Sequence, residues 1–539
     1  MIELCRYLHN FNWLLIGRYF APLIYLSAVV IGLGQLDVAW TLKGAAILTM
    51  SACGMLILPL PVKRFDRILR IVCWTLGPIG VLTILVYQLN NAWVDHHGFN
   101  GAVWSIFGRV IARHGFYQTG GHCFWTGGSN LVNSAELYNH HPPGLAWLIA
   151  CAFNLLGTRE AVARIVPIFF SASGALAFVI LLAKKMGTSA AAALPVLATA
   201  PGFAYFGRMV NSEPIILGLT LIFYAGLMSN RKGRWLTCGL VSIILIMPLI
   251  GWVGLPCAAL AAYEMGRQHF GWRRRAATAL VLVPITVFIF AVLHNTDWGR
   301  NLSAAFARAK AWNNLLQPGL ADYTLMDWLL QVGQHIGTLT PWPFWIFICL
   351  PGTLRCAFKK FKPLLLGVII PFTVMVPIMP HAVYIHDYHM LYWWPCVAIA
   401  VTVCMAKPQP LALTLICALW LIWPAAQGLR IIQSMHAEGC YAIHQAIIGK
   451  NLHSITAPDA TVAIVNTAGD SAPILAYYLD RHYQIYTQFE PCILTARWEY
   501  CCFVHNFDNV IDAHRQLLDQ KCQPVSNAYV PTYICRHQQ

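Results

Sequence analysis

Apolar stretches of nearly bilayer-crossing length recur through the first 427 residues, and they constrain this chain more than any other feature. A helix crossing about 30 Å of hydrocarbon needs roughly 20 mostly apolar residues. Stretches 13–34, 41–60, 70–88, 166–183, 188–205, 213–229, 235–250, 251–265, 276–294, 335–354, 364–380, 391–406 and 411–427 meet that demand to within a few residues. They predict an α-helical polytopic membrane protein with about 13 transmembrane helices. Composition agrees: 58% of residues are hydrophobic and 11% charged, against roughly 25% charged in soluble domains. The 20 Trp and 26 Phe suit surfaces that face lipid and its interfaces.

The net charge of +15 does not point to nucleic acid, because the basic residues form no single patch. They fall in five short clusters between apolar runs: Lys63 to Arg70, Lys184 with Lys185, Arg231 to Arg234, Arg267 to Arg275, and Arg355 to Lys362. If the shorter run 144–157 is re-entrant or interfacial, all five lie on one side, which the positive-inside rule makes cytoplasmic. If it crosses alone, four of the five land outside. The first arrangement is expected, with the N-terminus inside and the C-terminus outside an inner (plasma) membrane. The opening run from Phe11 to Gly34 lacks a small-residue cleavage site and reads as a signal anchor.

The chain thus divides into N-terminal membrane helices (1–88), a first outer loop with interfacial helices (89–165), the remaining membrane helices (166–427) and an outward-facing tail (428–539). The tail is expected to be a small soluble α/β domain, dispensable for insertion. Strand-like runs Thr461–Val465, Gln484–Gln488, Cys501–His505 and Tyr529–Cys535 alternate with helix-like stretches 472–482 and 510–520. Six of the 18 cysteines lie in this tail, a number that permits disulfides without choosing a pairing. The other 12 read as small apolar packing residues.

Polar groups at a membrane are costly, so their accumulation on one face calls for a reason. One cluster opens the first outer loop with Asp95, His96 and His97, followed by Arg109 and Arg113; the loop closes on His140-His141-Pro142-Pro143. Tandem prolines start a helix well but cannot continue one, so they fix where the two histidines project. A second cluster is Arg208 with Glu213, at the start of an apolar run; it reads equally as a site or as a helix-start ion pair. A third is His386-Asp387-Tyr388-His389, ahead of an aromatic belt.

This order of a charged outer loop, a His-Pro-Pro start, an Arg followed by an acid-Pro helix start, and a late His-rich turn resembles glycosyltransferase superfamily C (GT-C). Within it the chain is similar to the bacterial branch of the protein O-mannosyltransferase and lipid A aminoarabinose-transferase families. The resemblance covers roughly 90–400 and is most specific over Asp95–Arg113 and His140–Arg164. It implies a GT-C fold, a sugar donor carried on a polyprenyl phosphate such as undecaprenyl phosphate, and transfer by inverting displacement. It also implies an acid in the first outer loop and a second acid later, which fall on Asp95 and Glu213; counted back from Arg109, Asn100 is an alternative register for the first. His141 falls where these families place His or Lys before the prolines.

The chemistry is consistent on its own terms. A phosphate leaving group needs nearby cations, for which Arg109, Arg113, His141 and Arg208 are candidates. The acceptor needs a carboxylate to take its proton. His96, His97, His140, His386, Asp387 and His389 are candidates for holding substrate. The outer histidines are numerous enough to hold a divalent metal, although no ligand spacing demands one and no cofactor is otherwise indicated. The acceptor (protein, lipid or glycan) is left open. A transporter or flippase is the rival, but transporters place ionisable groups near the midplane and show repeated halves; here the titratable groups crowd one face and no repeat is visible.

Overall fold

The computed structural model describes residues 13–58, 63–128, 136–138, 141–229, 233–269, 281, 285, 323–406, 410–466, 472–486, 500–504, 522–524 and 533–536. The first helices are α1 (Trp13–Gly34), α2 (Trp40–Ile57) and α3 (Lys63–Leu85). Helix α4 (Gly98–Thr119), the two-stranded ribbon β1 (Cys123–Trp125) and β2 (Glu136–Tyr138), and α5 (Gly144–Leu156) build the first long loop, the one expected to face outward. Helix α5 is 13 residues long, about 20 Å at 1.5 Å per residue, too short to cross hydrocarbon about 30 Å thick. Exposed apolar side chains such as Leu155 (81% accessible), Trp40 (79%) and Trp235 (91%) stand on the outside of the bundle, where lipid rather than water suits them.

The apolar stretch Glu160–Thr199 is 40 residues long, yet it is two segments. Helix α6 (Glu160–Met186) ends at Gly187, whose φ of 65° leaves the helical region. A 3₁₀ turn (Gly187–Ala192), α7 (Ala193–Thr199) and α8 (Pro201–Ala204) follow. Trp394 touches both Phe178 and Phe203. A straight helix would hold those two about 37 Å apart, so the chain folds back at Gly187. The expected spans 166–183 and 188–205 are therefore separate segments, and the second is interrupted at Ala200, whose extended backbone ends α7. A 3₁₀ turn (Phe206–Arg208) precedes α9 (Ser212–Leu227), and the two halves meet at 113°.

Helices α10 (Arg234–Ile250) and α11 (Gly254–His269) come next; the expected span 276–294 lies outside the described residues, apart from 281 and 285. The expected span 335–354 is not one helix. The amphipathic α12 (Leu325–Leu339) ends, and a 3₁₀ turn (Trp342–Trp345) and α13 (Ile346–Cys349) carry the chain on, because Pro341 and Pro343 each remove a backbone donor. Then come α14 (Thr353–Ile378), α15 (Pro380–Ile385), a 3₁₀ turn (Asp387–Trp393), α16 (Trp394–Met405), α17 (Leu411–Trp420) and α18 (Ile422–Met435). Glycines let backbones meet in the bundle: a Cβ on Gly428 would fall 1.8 Å from the Thr199 carbonyl oxygen, and one on Gly174 would fall 2.6 Å from Gly218 Cα.

The tail holds α19 (Cys440–Ile455), β3 (Thr461–Asn466), α20 (Pro473–Leu479), β4 (His482–Tyr486), β5 (Tyr500–Val504), β6 (Cys522–Pro524) and β7 (Tyr533–Arg536). The sheet order is β4-β3-β5-β7-β6, parallel across β4-β3-β5 and antiparallel beyond. Ile448, Leu452, Val462, Ile464, Leu475 and Leu479 make its core. Strand β4 begins two residues earlier than its alternation suggests, and β6 is three residues ending in proline, too short to read from sequence. The expected helix 510–520 lies outside the described residues.

The tail is not a free appendage. Helix α20 abuts the first long loop, where Tyr478 Oη accepts from Trp93 N (3.1 Å) and donates to Glu160 Oε1 (2.8 Å). Next to it, Asp480 receives the Arg113 guanidinium through two bonds of 3.0 and 2.7 Å and lies 3.3 Å from Arg109 Nε.

Candidate active site

The chain leaving α3 runs without regular structure from Val86 to His97, so its carbonyls need outside donors. Two buried arginines supply them. Arg208 donates to the carbonyls of Tyr87 and Gln88 (3.0 Å for the latter). Arg164, from α6, donates to Leu89 (3.1 Å), Asn91 and Ala92 (3.3 Å), and its guanidinium lies 4.1 Å from the centre of the Trp93 ring. The loop's far end is tied as well: Met435 carbonyl accepts from His96 N (3.0 Å), Val94 carbonyl accepts from Gly439 N (2.8 Å), and Tyr205 Oη donates to the His96 carbonyl.

This places Asp95 with its side chain 7% accessible and 3.7 Å from Arg164 Nη2. Burial pushes its carboxyl above the usual range, against the pull of Arg164 and Arg208. The next two residues turn elsewhere. His96 Nε2 lies 3.0 Å from Asp387 Oδ2, and His97 Nε2 lies 2.7 Å from Oδ1. Tyr205 is in electrostatic range of both Asp95 and Asp387.

From Asp387 the cluster continues along its 3₁₀ turn. His386 stacks on Tyr388 at 4.9 Å, and Tyr388 packs on His389 at 4.5 Å. His389 Nδ1 lies 3.7 Å from Glu213 Oε1, while Ser212 Oγ donates to Glu213 Oε2 (3.1 Å). Glu213 thus faces the late histidine turn, not Arg208. The helix-start ion pair of the sequence reading does not form, because the chain bends between them and Asn211 caps α9 by accepting from Ser212 N. An apolar pocket adjoins the cluster, lined by Ser171, Gly202, Pro214, Gly218, Leu391 and Trp394.

Other expected site residues are placed differently. His141 accepts or donates through Nδ1 with Tyr138 Oη at 2.6 Å and packs edge-on to Trp104; it is among the charges that act on His389. His140 lies outside the described residues. Arg109 and Arg113, expected to serve a phosphate, are held by Asp480, with Arg109 Nη1 also donating to the Tyr477 carbonyl (2.9 Å). The tail engages both, although Arg109 Nε and Nη2 are buried without a hydrogen-bond partner; sequence spacing could not show that engagement. Sequence reasoning gave no role to Arg164, Tyr205, Tyr478 or Asp480; the buried arginine in an apolar run was the one available signal.

No protein-family model matches the chain, and no curated protein matches it. Solved structures do. ArnT from Cupriavidus metallidurans bound to undecaprenyl phosphate aligns with a TM-score of 0.61 at 14% identity, covering 86% of this chain and 98% of that one. The apo form of the same protein aligns with a TM-score of 0.58 at 13% identity, over 87% and 98%. The fold is that of the GT-C glycosyltransferases. In this GT-C fold the polar cluster assembled above sits where the first long loop, the α8–α9 bend and the Asp387 turn converge.

Proposed function

We propose that the protein is a membrane glycosyltransferase that moves a sugar from a polyprenyl-phosphate donor to a protein, lipid or glycan acceptor on the outer, periplasmic face. The observation that carries this is a buried Glu213 facing a histidine-rich turn whose Asp387 also gathers His96 and His97, the two residues that follow the buried Asp95, in a GT-C fold. An amphipathic donor suits a polar cluster set among apolar helices: the polar groups take a phosphosugar and the surrounding lipid takes the isoprenoid, whose burial contributes about 0.8 kcal/mol per CH₂.

In the reaction, the acceptor hydroxyl oxygen bonds to the sugar's anomeric carbon from the face opposite the phosphate. The bond from that carbon to the phosphate oxygen breaks with its electron pair, releasing the polyprenyl phosphate, and the configuration inverts. The acceptor's proton passes to a carboxylate. Asp95 is assigned this role, because the backbone tethers on its loop and Arg164 fix its position. Glu213, steered by Ser212 and His389, orients substrate. His386 packs on His389, and His141 acts on His389 electrostatically, so these histidines are assigned to holding substrate. Arg208 serves by holding the loop.

About 13 spans, an inside N-terminus and an outward soluble tail complete the reading, supported by the one-sided basic clusters. Membranes containing the protein are expected to transfer radiolabel from a polyprenyl-phosphate sugar when several such donors are screened. Asp95→Asn should lower kcat by roughly 10²–10⁴-fold with expression intact. Normal turnover in a well-folded Asp95→Asn protein would move the base to Glu213.

A further inference from the structure

The six tail cysteines permit disulfides in the sequence without a choice of pairing, and the sheet narrows that choice. Strand β7 lies between β5 and β6 and runs antiparallel to both. Its Cys535 stands opposite Cys501 on β5 and opposite Cys522 on β6. Three cysteine positions therefore form one row across three adjacent strands. Successive residues of a strand belong to opposite faces of a sheet, so a row of direct partners occupies one face. Cys502 is not in it. That residue is level with Ile464 of β3, part of the core to which α19 and α20 contribute, whereas Cys501 is level with Ala463.

We infer that Cys535 is a disulfide-forming centre shared by two partners, Cys501 and Cys522, so that this row holds one bridge and one exchangeable thiol. In an antiparallel strand the N–H and C=O of a residue both serve the same neighbour, so one of the two pairs at Cys535 is hydrogen-bonded and the other is not. Their Cα atoms are then about 5.5 Å and about 4.5 Å apart. Both distances fall within the range of about 4.4–6.8 Å that a disulfide spans. Cys501 and Cys522 are two strands apart, roughly 9.5 Å at about 4.7–4.9 Å per strand, and lie beyond that range. Every bridge within the row must therefore use Cys535, and only one can exist at a time.

The bridge forms by two exchanges with an external disulfide such as oxidised glutathione. The Cys535 thiolate attacks one glutathione sulfur, the glutathione sulfur–sulfur bond breaks, and one glutathione leaves as thiolate. The Cys501 or Cys522 thiolate then attacks the Cys535 sulfur and expels the second glutathione. Two protein thiols are thereby oxidised, and one glutathione disulfide is reduced to two thiols. The third cysteine can attack Cys535 in turn and release the first partner as a thiolate, with no net oxidation. The row is a property of the sheet and stands independently of glycosyl transfer and of the side of the membrane on which the tail lies.

Full-length protein in mild detergent is reduced, equilibrated with mixtures of reduced and oxidised glutathione, alkylated, and digested without reduction. Linked peptides are mapped by mass spectrometry, with fragmentation that separates Cys501 from Cys502. Links from Cys535 to Cys501 and from Cys535 to Cys522 are expected, with none between Cys501 and Cys522. Oxidation in denaturing detergent should add that third link, because the sheet and not the chain excludes it. Cys501→Ser should move the whole yield to the Cys522–Cys535 link, Cys522→Ser should move it to Cys501–Cys535, and Cys535→Ser should abolish bridging within the row. Cys535 recovered entirely as free thiol under oxidising mixtures, a Cys501–Cys522 link in folded protein, a link from Cys502 to Cys535, or a remaining pair that stays open in either partner variant would overturn the shared centre.

Discussion

The junction between the tail and the first long loop makes a sharp prediction at Asp480. Its side chain, 18% accessible, is the shared anion for Arg113 and for Arg109, which is 7% accessible. Breaking a buried ion pair by removing one partner costs about 3–5 kcal/mol, whereas exposed pairs are worth about 0–1 kcal/mol. Arg113 is 31% accessible and belongs nearer the second class; Arg109 belongs to the first and would keep its charge unpaired. Asp480→Asn should therefore weaken docking of the tail by about 2–3 kcal/mol, on the order of 100-fold in the docking equilibrium.

Hydrogen–deuterium exchange over 109–128 and 473–486 reads that loosening, and limited proteolysis gives a second measure. The pH dependence follows from the same contact. Burial raises the Asp480 carboxyl, but Arg109 and Arg113 outweigh it and hold it below the usual carboxylate range. A depressed carboxylate contributes stability that is present above its unfolded value, about 3.9, and lost as pH falls through its folded value. Protection, taken relative to the intrinsic exchange rate at each pH, should stay flat from neutral pH to about 5 and fall below about 4. The Asn variant should lack that acid step. Identical exchange in the two proteins at pH 7 would refute the role of Asp480 as the clamp.

Other expectations are briefer. Arg164→Ala removes the donor to three loop carbonyls and should cut kcat through the displaced loop, with Arg164→Lys recovering only part; unchanged turnover in the transfer assay would show that the loop holds itself. Gly428→Ala places a methyl against the Thr199 carbonyl and should lower the melting temperature or abolish expression, whereas a neutral outcome would mean that α18 can shift. Reporter fusions after Ser229 and Ala406 should report the cytoplasm and those after Thr456 the outer compartment; a cytoplasmic tail would reverse the orientation and the side of the proposed reaction.

The apolar runs determined that the chain is helical and membrane-spanning, because hydrocarbon leaves the backbone no other satisfied conformation at that length. The order of polar clusters carried the family resemblance, and the alternating runs around Thr461 and Cys501 marked the strands of the tail. Partnership was another matter. Arg208 and Glu213, five residues apart, look like a pair until the bend sends one to the loop carbonyls and the other to His389. Arg109 and Arg113 look like phosphate ligands until Asp480 arrives from the tail. His96 and His97 look like an ordinary wet loop until a left-handed residue and a carboxylate 290 positions away bring them together. Burial and hydrophobic length are properties of local sequence, whereas the partner of a charge depends on which distant backbone the fold carries within about 4 Å, and composition holds no record of that distance.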